Sequence, residues 1–314
     1  MTYYLGVDGG GTRTRAVVLD REGVEKGRAE GAAALADARH PERAAEALRD
    51  VCFAALGAAD SAAPARAVWA GVAGAGREAA RSAVELELSR FGVADVCRVG
   101  TDVVAAFHDA FPSGPGILLI AGTGSIAWGR AESGREGRVG GWGHHIGDEG
   151  SGYAIGREAL RRVARHADGR APETALREAL LDELGLETVD RLVQWAADAT
   201  KAQVAALAPV VARSSDQGDP VAGEILVHAV EELEGHVATV LARLGPWSQP
   251  PSVALGGGLL RPGRPLRAAM ERVLERMGLA ARAGEPDAAR GAARLALEIP
   301  DPGASTGLEL PPGW

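Results

Sequence analysis

Two stretches of this chain share one plan, an apolar strand, a glycine-threonine turn and a second apolar strand, and they lie far apart in sequence. Tyr3 to Asp8 and Thr14 to Asp20 read as strands joined by GGGTR. Ile117 to Ala121 and Ile126 to Arg130 read as strands joined by GTGS. Short aliphatic runs bounded by glycine and threonine are hairpin signals. An ordinary hairpin turn needs one glycine or two. The run of three in DGGGTRT, Asp8 to Thr14, also lets the backbone approach a ligand without Cβ interference. Amides in such a turn can point together at an anion, and Thr12 adds a hydroxyl donor. A chain built twice on this plan is a duplicated fold, the repeat being structural rather than a sequence period.

The elements that follow each hairpin set the class. After the first come a third strand at Val24 to Ala29, a helix at Pro41 to Ala55, a strand at Ala67 to Val72, a helix at Glu78 to Phe91, a strand at Val96 to Thr101 and a short helix at Val103 to Phe111. This βββαβαβα order predicts an α/β fold with a mixed sheet flanked by helices. Pro112 to Gly116 is a turn cluster, after which the pattern restarts. Beyond Gly152 the spacing predicts helices at Tyr153 to His166, Ala171 to Leu184, Ala202 to Ser214 and Pro220 to Leu244. A short strand at Val253 to Leu255 ends in GGG, and helices follow at Pro265 to Met277 and Pro286 to Leu297. A length of 314 residues suits two cores. The expected domains are residues 1–113, completed by a C-terminal helix over 286–300, and residues 114–285; the proline- and glycine-rich tail, 301–314, is expected to be disordered.

Composition removes several classes. The net charge is −8, no run of basic residues is uninterrupted, and aromatics make up 4%. A nucleic-acid or anionic-membrane partner is therefore disfavoured. Among 34 basic residues only Lys26 and Lys201 are lysines, and neither follows a glycine-rich loop in the GxxxxGK[ST] pattern, which excludes a Walker-type phosphate loop. Cys52 and Cys97 lack a CxxC partner, against zinc or iron-sulfur ligation within one chain. The sequence enters a strand at once, without the features of a secretory signal, and its apolar runs are too short to span a bilayer. A cytoplasmic location is expected.

Three further segments carry chemistry. LGGGLL, Leu255 to Leu260, sits between a strand and a helix; alone it serves as well as a flexible helix N-terminus, and beside the other two loops it reads as the floor under an adenosine and its α-phosphate. Asp102 follows the strand VCRVGT and opens a helix, where an acid suits either the helix dipole or proton transfer. GGWGHHIGDEGSG, Gly140 to Gly152, gathers glycines, an indole, two histidines and two carboxylates. His144 and His145 shape the loop rather than bind metal, because no third ligand is evident. His108, His228 and His236 read as surface or satisfied core histidines. Asp8, at the end of a strand, suits Mg2+ held through water.

In the order DGGGT, an aspartate after a strand, GTGS, GGWGHHIGDEGSG and GGG, the chain resembles the N-acetylglucosamine kinases and the wider BadF/BadG/BcrA/BcrD-type ATPases, over roughly Tyr3 to Leu297. The resemblance implies a two-lobed actin-like (ribonuclease H-like) ATPase fold that closes over ATP and a sugar, with the last helix returning to the N-terminal lobe. It implies Asp102 as the catalytic base and Asp8 at Mg2+. The ATP contacts would be Gly9, Gly10, Gly11, Thr12, Thr123, Gly124, Gly256, Gly257 and Gly258. Ser215 falls near a further ATP-contacting position, or else caps the helix from Pro220 or ends the previous one. Sugar contacts would come from Ser125, Gly140, Gly141, Trp142, Gly143 and Asp148, while Glu149 either joins them or starts the following helix. A homodimer is also implied. The pattern departs at two places where many relatives carry a sugar-contacting asparagine: this chain has GAAALADA after the third strand and Ile126 after GTGS. The expected activity is thus ATP-dependent phosphorylation of a hydroxyl on an amino sugar, N-acetylglucosamine or glucosamine. The rivals are an ATPase that activates an electron-transfer partner and a non-catalytic sugar or nucleotide sensor.

Overall fold

A computed structural model describes residues 1–300, and the expected disordered tail lies outside them. The chain divides into two compact units, Met1–Ser113 with the stretch beginning at Pro286, and Gly114–Glu285.

In the first unit, β1 (Tyr4–Gly9), β2 (Thr14–Leu19) and β3 (Glu25–Gly31) form an antiparallel meander. The chain then runs through α1 (Pro41–Ala58), β4 (Ala65–Val72), α2 (Glu78–Ser89), β5 (Ala94–Gly100) and α3 (Asp102–Ala110), and both β4 and β5 enter parallel to β1. The sheet order is β3-β2-β1-β4-β5. Alternation along β1 sends Leu5 and Val7 into a core with Leu48, Val68 and Val84, and leaves Tyr4 and Gly6 for the opposite face. That face is covered by the last helix of the described chain, which starts at Ala288 and ends at Leu297. Its Ala289 and Ala293 pack against Val17 and Leu19. The helix lies so close that a Cβ on Gly6 would stand 1.9 Å from the Ala293 nitrogen. Asp109 fixes its start: the carboxylate accepts from Asp287 N at 2.8 Å and from Arg290 Nε and Nη2 at 2.7 and 2.8 Å, a bidentate pair.

The second unit repeats the arrangement. Here β6 (Gly116–Ala121), β7 (Ser125–Arg130) and β8 (Glu136–Gly140) are antiparallel, and β9 (Val253–Gly256) lies parallel to β6, in the order β8-β7-β6-β9. The helices between β8 and β9 are α4 (Gly152–Ala167), α5 (Leu176–Leu184), α6 (Asp190–Asp198), α7 (Lys201–Ala205), α8 (Ala208–Asp216) and α9 (Pro220–Leu244); α10 (Pro265–Arg276) follows β9, so the last helix is α11 (Ala288–Leu297). Ile117, Leu119, Ile155, Leu180, Leu233, Leu255 and Met270 share its core. Asp219 organises the helical part, accepting from Ala222 N as the cap of α9 and from the Thr174 hydroxyl and Ala175 N. No helix among the described residues is long and apolar enough to cross a membrane.

Four expectations change. EGRVG forms β8 although glycine and charge disfavour strands, because the free edge of β7 supplies its ladder. Asp190–Asp198 is helical, which the sequence reading left unassigned. Helix α5 starts only at Leu176, after Thr174 has bonded to Asp219. The single helix expected over Ala202 to Ser214 is two, α7 and α8, with Pro209 in the first turn of the second, where its missing N–H costs nothing.

Backbone contact at Gly6 predicts that Gly6→Val lowers stability by about 3 kcal/mol or more, by overpacking and displacement of α11. Gly57→Ala in α1, where a Cβ meets nothing within 4 Å, should cost no stability. Urea unfolding of both variants checks the pair.

Candidate active site

In the first unit the parallel pairing aligns three strand ends. Asp8 of β1 sits level with Gly71 of β4, and Gly71 level with Gly100 of β5. The chain then turns at Thr101 and starts α3 at Asp102. Ligands of open α/β sheets gather at this carboxyl edge. Gly71 makes the packing possible, because a Cβ there would lie 3.2 Å from both Asp102 Cα and Ala105 Cβ. Asp102 accepts from Val103 N at 3.0 Å. Although part of the residue reaches solvent, dense packing round the carboxyl disfavours its charged form; this desolvation, reinforced by the negative charge of Asp8, pushes its pKa up to about 6. Beside it the Thr101 hydroxyl is buried without a hydrogen-bond partner. Arg15 Nη2 donates to Asp8 Oδ2 at 2.7 Å, and Arg15 is a residue the sequence reading missed. It stands directly opposite Asp8 in the β1–β2 register, so the hairpin spacing carried the signal.

The turn from Gly10 to Arg13 closes with Gly10 N donating to Arg13 O at 3.1 Å, and Ala34 N donates to Gly10 O at 3.0 Å. Gly11 and Thr12 at its tip are exposed and Gly9 is buried in β1. One acidic residue, with one oxygen held by Arg15, fits a hydrated Mg2+ that takes its other ligands from phosphate and water. No group of three or more His, Cys, Asp or Glu side chains among the described residues could cage a metal. Cys52 and Cys97 lie in the core of this unit, 0% and 5% exposed, and burial raises both thiol pKa values. Sealed thiols of this kind cannot reach a cluster shared with a second subunit.

In the second unit β6 and β9 also end together. The turn holding Thr123 and Gly124 closes with Gly122 N donating to Gly124 O at 2.9 Å, and Leu259 N reaches across to Ala121 O at 3.0 Å. A Cβ on Gly122 would stand 3.6 Å from Gly258 N, so the GTGS and GGG turns touch. Gly257 has φ +87°, and a side chain would also meet Ala121 O at 2.5 Å. Gly256 ends β9 and Gly258 is exposed. Helix α10 begins at Pro265, where the sequence reading placed it, so the GGG run does not itself form a helix N-terminus; the intervening turn is tied down by buried Arg267, whose Nη1 donates to Leu260 O and Gly284 O at 3.1 and 3.0 Å. The amides available here are therefore those of a turn rather than of a helix N-terminus.

The segment Gly140–Gly152 wraps the same edge. Gly140 has φ +74°, and a Cβ there would strike His236 Nε2 at 2.4 Å, so this histidine of α9 is packed under the loop. His236 Nδ1 lies 2.7 Å from Glu232 O, and Nε2 lies 3.9 Å from Glu149 Oε2. Gly141 N donates to Ser125 O at 3.0 Å, while the buried Ser125 hydroxyl donates to Glu149 O at 2.6 Å and pins the loop. Gly147 N returns to Gly143 O at 2.8 Å. Trp142, 62% exposed, lies under the Arg138 guanidinium, 4.5 Å from its ring centre. His144 and His145 stack on each other, and burial lowers the His144 pKa. Asp148 is buried with φ +63°; its Oδ1 accepts from Ser125 N at 3.2 Å, and Lys201 Nζ lies 2.6 Å from Oδ2. Of the alternatives for Ser215, it ends the previous helix: it lies in the last turn of α8 facing Gly223 of α9, and the cap of α9 is Asp219.

The sequence model of the BadF/BadG/BcrA/BcrD ATPase family matches residues 5–296. The chain belongs to this family. It is 32% identical to an N-acetylmuramic acid/N-acetylglucosamine kinase of Clostridium acetobutylicum, over 83% of this chain and 86% of that one. It is 30% identical to an N-acetyl-D-glucosamine kinase of Dictyostelium discoideum, again over 83% and 86%. Among solved structures, a candidate N-acetylglucosamine kinase from Chromobacterium violaceum superposes with a TM-score of 0.78 at 31% identity, covering 95% of this chain and 99% of that one. Membership carries the two-lobed α/β architecture and ATP as the family's nucleotide.

A folded-state pKa of about 6 for Asp102, above the ordinary 3.8, means its contribution to stability is present below pH 3.8 and lost as pH rises through 6. Asp102→Asn stays neutral, so it should melt above wild type at pH 8, with a gap that narrows as pH falls below 6. Thermal melts across pH test this, and a gap independent of pH would contradict the burial of charge.

Proposed function

We propose that this chain is an ATP-dependent kinase that phosphorylates a hydroxyl of an amino sugar, N-acetylglucosamine or glucosamine. The observation that carries the reading is Asp102, a desolvated carboxyl with its pKa pushed up to about 6, next to Asp8 at the carboxyl edge of β1, β4 and β5. General bases work best with a pKa near the working pH. The relatives named above as sugar kinases support the substrate class.

In this reading the Asp102 carboxylate accepts the proton of the sugar hydroxyl as its oxygen bonds to the γ-phosphorus. The bond from that phosphorus to the bridging oxygen breaks, leaving ADP and a sugar phosphate. The protein's part is position and electrostatics. Backbone amides at Gly9, Gly10 and Gly11, with the Thr12 hydroxyl, take phosphate oxygens. Thr123 and Gly124 take others, and Gly256, Gly257 and Gly258 lie under the adenosine side. Mg2+, when bound, neutralises the phosphate oxygens, and Asp8, oriented by Arg15, is the carboxylate that would hold it through water.

Gly140, Gly141, Trp142, Gly143, Asp148 and Glu149 form the sugar loop, with Ser125 as its pin. Ile126 lies beneath it: a Cβ on Gly141 would stand 2.7 Å from Ile126 Cδ1.

The test is a coupled assay with N-acetylglucosamine, glucosamine, N-acetylmuramic acid and glucose, following both ADP and sugar phosphate. ADP release should depend on sugar, and kcat/KM should fall as pH drops below about 6. Asp102→Asn should keep ATP binding and lose about 100-fold or more in kcat. ATP hydrolysis indifferent to sugar would point to an activator, and no turnover with any sugar to a sensor; either result overturns the reading.

A further inference from the structure

Lys201 has no role in the reading above, yet its setting is unusual. Of the two lysines in the chain, Lys26 pairs with Asp20 at the surface of the first unit. Lys201 opens α7, and its helix is fixed on two sides. A capping box holds its start, Gln203 N donating to Thr200 Oγ1 at 3.3 Å and Thr200 N to Gln203 Oε1 at 2.8 Å. Its backbone also lies against α4, where a Cβ on Gly152 would meet Ala205 O at 3.2 Å. The first residue of α4 is in turn bonded to the GTGS turn, Gly152 N donating to Gly122 O at 2.8 Å. Lys201 thus reaches back over that turn from a rigid base.

Its ammonium sits 2.6 Å from Asp148 Oδ2 and 3.0 Å from where a Cβ on Gly124 would stand. Asp148 is a buried carboxylate, and no hydrogen bond is aligned on its Oδ2. The contact is an ion pair that engages at most one of the lysine's three N–H groups. The Lys201 side chain keeps 32% of its surface exposed, so the remaining donors reach solvent beside the turn.

We propose that Lys201 is a phosphate-contacting residue, its ammonium held over the Gly122–Ser125 turn by Asp148 so that its remaining donors meet the β- or γ-phosphate of the nucleotide. This rests on the kinase reading of that turn. It supplies the point charge that a lysine gives in Walker-type loops, from a helix distant in sequence. The buried carboxylate both aims the lysine and lowers the cost of confining it.

The experiment compares AMPPNP with AMP, by calorimetry in Mg2+ without sugar, for wild type, Lys201→Arg, Lys201→Met and the double variant Lys201→Met/Asp148→Asn. The double variant avoids a lone buried charge and so remains informative if the single methionine variant unfolds. Loss of a charge-assisted phosphate contact should weaken AMPPNP by about 10- to 100-fold and leave AMP unchanged, with Lys201→Arg recovering part of the loss. Wild-type AMPPNP affinity in the double variant overturns the proposal, as does an equal loss for AMP, and both leave the kinase reading standing. A wild type that binds AMPPNP no better than AMP overturns the two together.

Discussion

A hairpin flanked by a parallel strand is the constraint on which the rest depends. In each unit the first strand pairs antiparallel with its successor and parallel with a strand from much later in the chain. The hairpin turn and the loop leaving the parallel strand must then emerge at the same edge. In the first unit this sets Asp8 level with Gly71 and leads to Asp102; in the second it sets Ala121–Ser125 against Gly256–Gly258. Glycine is needed at these edges for proximity as much as for conformation, since a Cβ at Gly71 or Gly257 would crowd a neighbouring side chain or backbone.

Charge is handled differently in the two units. Asp8 has Arg15 across the hairpin, whereas Asp102 accepts from the backbone N–H of Val103 and is desolvated, so the two carboxyls have separate environments. Divergent settings for neighbouring acids are the physical basis for giving one a structural or cation-holding task and the other proton transfer. In the second unit the buried acid Asp148 is compensated by Lys201. Its position at φ +63° is tolerable for aspartate and places its carboxylate under the turn rather than out in solvent.

Small residues permit this density. Helix α11 reads AARGAARLAL, and its alanines and glycine bring its backbone against β1 and α3. A Cβ on Gly291 would meet Ala105 O at 2.0 Å. The closeness is directional because Asp109 grips Arg290 and the start of the helix. Alanine and glycine lose little side-chain entropy when buried, so a sheet face can be covered this tightly without large apolar groups.

The sequence alone determined what depends on local pattern: the two strand-turn-strand repeats, the α/β class, most helices (Pro220–Leu244 to the residue), and the candidate residues whose order runs from DGGGT to GGG. Those signals are short-range, set by alternation, helical spacing and turn chemistry. What only the tertiary structure decided involves partners distant along the chain. It made EGRVG a strand through the edge of β7, set Ile126 under Gly141, put His236 beneath Gly140, and joined Lys201 to Asp148. Burial and charge compensation act between side chains that only the closed fold brings within a few ångströms, and no local window of sequence contains both members of such a pair.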